Sequence, residues 1–86
     1  MKTKKLVRKM GALLNADRRS QVAKYDSLEK VLGKLQLKEE ALREKLDSEE
    51  DEERRAEILR KLEVISAQRK KGLELRKEIE DLRESD

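Results

Sequence analysis

The side chains that could do chemistry in this sequence are carboxylates, ammonium groups and guanidinium groups, with little else. Paired acids stand at Glu39 and Glu40 and at Glu49 and Glu50, and the run 47–53 (Asp-Ser-Glu-Glu-Asp-Glu-Glu) is acidic at every position but one. Carboxylate pairs move protons when a desolvated pocket separates their pKa values. The acidic run offers oxygen atoms that a hard cation accepts, yet it lacks the alternating ligands and central Gly of a calcium loop. Its composition reads instead as a solvated turn that stabilises a helix dipole. His and Cys are absent. That excludes imidazole and thiolate metal sites, thiol nucleophiles, disulfides and the usual acid/base group of neutral pH. No Gly-rich phosphate loop, nucleophile elbow or zinc spacing appears. A non-enzymatic protein without cofactors is expected.

The cations say more. Residues 1–24 carry eight of them (Lys2, Lys4, Lys5, Arg8, Lys9, Arg18, Arg19 and Lys24) against Asp17 alone, whereas residues 25–86 carry 15 against 19 acids. The formal net charge of +3 therefore conceals a basic arm on a nearly balanced body. On a helix, Val7, Met10 and Leu14 line one side of this arm, Leu6 and Leu13 lie adjacent, and the cations spread around the rest. Such a stretch can dock in a partner's groove, lie on anionic lipid or contact phosphates. A protein groove is favoured, with Leu6, Val7, Met10, Leu13 and Leu14 as the partner-binding residues, against the plainer reading of a disordered or domain-packing tail. Five apolar side chains would be idle against nucleic acid, and neither Trp nor Phe is present to anchor a membrane interface. In the alternative reading Lys2, Lys4, Lys5, Arg8, Lys9, Arg18 and Arg19 contact phosphates, giving a weak attraction to nucleic acid at low salt. The clusters Arg54-Arg55 and Arg69-Lys70-Lys71 lie three or four residues from acids such as Glu57 and Glu74, and read as intrahelical pairs.

Arg8 and Lys9 interrupt the apolar residues of the arm and so break a secretory signal, although residues 1–16 loosely fit a mitochondrial presequence. No run approaches the roughly 20 apolar residues that span a bilayer. A cytoplasmic location is expected.

The elements that must position these groups are helices. Half of the residues are charged and Tyr25 is the single aromatic, a composition near that of disordered chains. Pro is absent, however, Gly occurs only at 11, 33 and 72, and Leu, Glu, Lys, Arg, Gln and Ala dominate from residue 28 onward. Leu28, Leu35 and Leu42 recur at one heptad position and Tyr25, Leu32 and Leu46 at the other, with Glu39 breaking the series. A second seam runs through Ile58, Ile65, Gly72 and Ile79, with Leu62, Leu75 and Leu82 beside it, and weakens at Arg69 and Gly72. The two seams are out of phase by two residues, which a continuous coiled coil does not tolerate.

An all-α antiparallel two-helix coiled-coil hairpin is therefore expected, with an arm at residues 1–15 and a hairpin at 16–84. The expected hairpin consists of a helix at 16–46, a turn at 47–49 capped by Ser48, and a helix at 50–84. Asn15 or Asp17 can cap the start of the first helix, and Asp26 with Glu29 offers an alternative start as a capping box. A turn near Ser48 places Leu35 near Leu62, Leu32 near Ile65 and Tyr25 near Gly72, and it leaves residues 1–14 without an intrachain partner. Glu39 and Arg69, polar residues on an apolar seam, either fix register or mark where the seam turns to solvent. Two helices sharing one narrow seam seldom suffice in a chain this short. Val31, Leu59, Val64 and Leu73 widen the stripes, so a homodimer forming a four-helix bundle is expected.

Overall fold

A computed structural model describes residues 3–84, and within them the chain is all-helical: α1 (Thr3–Asn15), α2 (Arg18–Ala23), α3 (Tyr25–Ser48) and α4 (Glu52–Glu84). The two long helices pack against each other. Side chains of Tyr25 and Glu80, of Glu39 and Ser66, and of Arg55 with the Leu46 carbonyl meet across the pair, so α3 and α4 run antiparallel. The molecule is about 53 Å long, close to the length of α4 at about 1.5 Å per residue.

The turn lies two residues later than expected. Ser48 is the last residue of α3, its hydroxyl donating back to the Glu44 and Lys45 carbonyls, and the turn consists of residues 49–51. Asp51 rather than Ser48 caps α4, accepting from the Glu53 amide at 2.9 Å. The Arg55 guanidinium donates to the carbonyls of Leu46 (2.6 Å), which also accepts the Glu49 amide at 3.3 Å, and of Glu49 (2.9 Å), at the end of α3. These side chains close the turn without Gly or Pro. The later turn shifts the pairing toward higher-numbered partners. Leu32 accordingly faces Gly72 rather than Ile65, and Tyr25 meets Glu80 rather than Gly72.

The helix expected at 16–46 is two helices, broken at Lys24, whose φ of −101° and ψ of 23° leave the α region. Asp17 caps α2, accepting from the Ser20 amide at 2.8 Å. The buried Gln21 amide donates to the Leu13 and Leu14 carbonyls at 3.0 and 3.3 Å, satisfying the C-terminal end of α1.

The largest correction concerns residues 1–14, which do have an intrachain partner from Thr3 onward. α1 packs on both long helices, and Leu6 and Met10 are fully buried, with Leu13 nearly so. Their spacing of four and three puts them on one helical face. That face joins Leu28, Val31, Leu32, Leu35, Ile65, Leu75 and Ile79 in a single core cluster, with Leu14, Val22, Tyr25, Leu42 and Leu73 packed against it. Burying three such side chains contributes about 5–9 kcal/mol, gross of chain entropy. The shortage of core that the hairpin alone would have is met in part by its own first helix.

Of the remaining seam residues, Ile58 and Leu62 are buried outside this cluster, toward the turn, and Leu46 is half-buried. Leu82 is 48% exposed, a departure from the seam position expected for it. α3 begins at Tyr25, opposite Glu80, and the last turn of α4 extends past that point. Leu59 and Val64 are about half exposed, whereas Val31 belongs to the core.

Candidate basic binding face

Turning Leu6, Met10 and Leu13 inward leaves the cations of α1 outside, where Lys4, Lys5, Arg8 and Lys9 are all exposed. α1 rests against both α3 and α4, and an open cleft runs along each flank. On the α3 side, Lys9, Lys24, Lys30 and Lys34 surround Ala12, Leu13, Ser27 and Val31 in a cleft of about 330 Å³. On the α4 side, Lys4, Arg8, Arg60 and Lys61 surround Thr3, Val7, Val64 and Ile65 in a cleft of about 680 Å³. Each flank brings four cations to an apolar floor, and no acid lines either one.

Among the described residues the ion pairs are Arg18 with Glu78, Arg43 and Arg69 with Glu39, and Arg76 with Glu80. None involves a cation of the two clefts. Like charges gathered with no acid in the cleft lining raise the local positive potential, which steers and holds anions. The apolar floor adds attraction for ligands that carry aliphatic groups beside their charges.

The residues singled out in the sequence are thus redistributed. Lys4, Arg8 and Lys9 line the clefts, and Lys5 and Arg19 are exposed. Arg18 donates to Glu78 at 2.8 Å, so its charge is already matched, and Lys2 lies outside the described residues. Of the five residues assigned to a partner's groove, Leu6, Met10 and Leu13 are inside the protein, Leu14 packs against the core and Val7 is half-buried. Lys24, Lys30, Lys34, Arg60 and Lys61 were not singled out as site residues. The available signal was local, since Lys30 and Lys34 are four apart with Val31 three before the second, and Arg60 and Lys61 precede Val64 by four and three.

A second polar cluster is internal. Glu39, 4% exposed, accepts from Arg69 (2.5 Å), Ser66 (3.0 Å) and Arg43 (2.8 Å). Burial pushes its carboxyl up, but the hydrogen bonds from Arg69 and Ser66 and the charges of Arg69 and Arg43 prevail and hold it below its ordinary value. Glu39 and Arg69 thus pair across α3 and α4 on the seam, rather than marking a place where it turns to solvent. Farther along the hairpin, the Tyr25 hydroxyl donates to Glu80 and Glu29 and the Arg83 guanidinium lies 4.3 Å from the centre of its ring. The only aromatic ring in the chain is therefore engaged internally.

No group of three or more acidic side chains among the described residues is placed to hold a metal ion, and no helix there is long and apolar enough to cross a membrane. Compared with known proteins, the chain matches no family model, no curated protein and no solved structure. Its functional reading rests on the geometry above.

Proposed function

We propose that this chain is a non-enzymatic helical interaction protein that self-associates through its coiled-coil hairpin and binds an acidic protein partner on its basic face. The observation that carries the partner reading is the convergence of Lys9, Lys24, Lys30 and Lys34 over the apolar floor of Ala12, Leu13 and Val31. Cations alone would serve any polyanion, whereas cations around an aliphatic floor favour a peptide presenting both acids and apolar groups. The internal engagement of Tyr25 leaves no ring for stacking on bases. The docking surface is thus the flank of α1 rather than its apolar face.

The test is titration of the full chain with a Glu-rich peptide carrying Leu at helical spacing, beside a mixed-sequence DNA duplex, at low and moderate salt. Peptide binding that survives moderate salt and is lost in Lys30→Glu with Lys34→Glu supports the proposal. Tighter binding of the duplex, with the steep salt dependence of phosphate contacts, overturns it in favour of a nucleic-acid partner.

A further inference from the structure

The outer surface of α4 between the turn and the α1/α4 cleft has a charge pattern that matches itself. Glu53, Glu57, Arg60 and Val64 are spaced by four, three and four, which places them on one side of the helix at about 100° per residue. All four are exposed, and none of the three charged ones takes part in an ion pair among the described residues. The sign of the face changes along its length. Toward the turn it carries Glu53 and Glu57, with Arg54 on the flank that Lys61 also occupies and further acids in the turn itself. Away from the turn it is basic, through Arg60 and Lys61, reinforced across the cleft by Lys4 and Arg8 of α1.

We propose that this face pairs with the same face of a second copy, antiparallel about a two-fold axis passing between Glu57 and Arg60. In that arrangement Glu57 of each copy meets Arg60 of the other, and Glu53 of each reaches Lys61 at the mouth of the other's cleft. Parallel alignment would set acids against acids and cations against cations, so the charge pattern selects the closed, isologous pair. Pairing also covers Val64, 48% exposed beside the cleft. The acids come from the part of α4 nearer the turn than the cleft at residues 60–65, so one copy brings acids to where the other has cations. This inference rests on the self-association half of the function proposed above, and it leaves the lysine-rich α1/α3 cleft open for the partner.

Sedimentation equilibrium on the full chain tests it, with Arg60→Glu plus Lys61→Glu, with Glu53→Lys plus Glu57→Lys, and with an equimolar mixture of the two variants, at low and high salt. The expected result is a dimer of the unaltered chain that weakens with salt. Each double variant should dissociate by about tenfold or more while keeping its helical circular dichroism, and the mixture should recover the dimer. A dimer that persists unchanged in both double variants overturns this interface and leaves self-association itself standing. Failure of the mixture to re-form a dimer from two folded variants also overturns it. A folded monomer of the unaltered chain at high micromolar concentration overturns both the interface and the self-association reading.

Discussion

Met10 of α1 lies against Gly72 of α4, where a Cβ would sit 3.0 Å from the methionine Cε and 3.2 Å from its Sδ, and 2.7 Å from Cδ2 of Leu32. The missing side chain in the long helix is what lets α1 and α3 close over it. Glycine within a helix costs about 1 kcal/mol relative to alanine, and here close approach accounts for it. Gly72→Val is expected to destabilise the fold by about 1–3 kcal/mol through overpacking against Leu32 and Met10. Gly33 has nothing within 4 Å of its Cβ position, so Gly33→Ala is expected to stabilise by about 0.5–1 kcal/mol. Urea denaturation of the two variants checks both signs.

Leu6 and Met10 are fully buried, so Leu6→Ala and Met10→Ala are each expected to cost about 2–4 kcal/mol of folding stability. Exposed Lys5→Ala should change stability by less than about 0.5 kcal/mol. Thermal unfolding of the isolated protein is the check. A role confined to a partner's groove would leave the stability of the isolated chain unaffected by the apolar substitutions.

The hairpin was legible in the sequence because period is a direct imprint of packing. Leu28, Leu32 and Leu35 on one helix and Ile58, Leu62, Ile65, Leu75 and Ile79 on the other are all buried. The place of α1 was not legible, because Leu6, Met10 and Leu13 have the same spacing whether they face the protein's own groove or another's. The one clue was Gly72, whose lost side chain is matched by Leu32 and Met10 rather than by Tyr25. The turn was misplaced because the acidic residues of 47–53 offer several equivalent caps, and Asp51, which the chain uses, differs little in kind from its neighbours. The break at Lys24 has no Gly or Pro to announce it, and only the alternative helix start at Asp26 and Glu29 pointed near it. The basic arm was visible as composition, but its companions Lys30, Lys34, Arg60 and Lys61 join it only once α1 folds back.

Glu39 gives the fold an acid-sensitive point. Its carboxyl is held below its ordinary value of 4.5 in the folded chain, so the stability it contributes is complete above that value and is lost as pH falls below it toward the folded pKa. Glu39→Gln should flatten the acid limb of a stability-against-pH curve. Arg69→Met removes a cation from a buried carboxylate and is expected to cost about 2–4 kcal/mol. Replacing both residues by Leu should restore most of that loss, because it leaves no buried charge unpaired. Chemical denaturation of the single and double variants from pH 3 to 7 reads both effects.

Tyr25 is a built-in reporter of the end of the hairpin far from the turn. The hydrogen bond to Glu80, burial, and then the bond to Glu29 hold its hydroxyl above the ordinary value of 10.0. With no Trp and no second Tyr, tyrosinate absorbance reads this group alone. Its titration midpoint should lie above 10.0 in the folded chain and return to that value in denaturant. Glu80→Gln should lower the folded midpoint. The stability tied to this contact is present below pH 10 and declines as pH rises above it.

The central claim is that α1 is part of the folded core, with its cations displayed on the outside. Amide hydrogen exchange across α1 in the intact, isolated chain tests this most directly. The account predicts that amides from Val7 to Leu14 are protected to a degree comparable with those of α3 and α4, and that Met10→Ala lowers that protection first in α1. Exchange across α1 at the rate of an unstructured peptide, with α3 and α4 still protected, would contradict it.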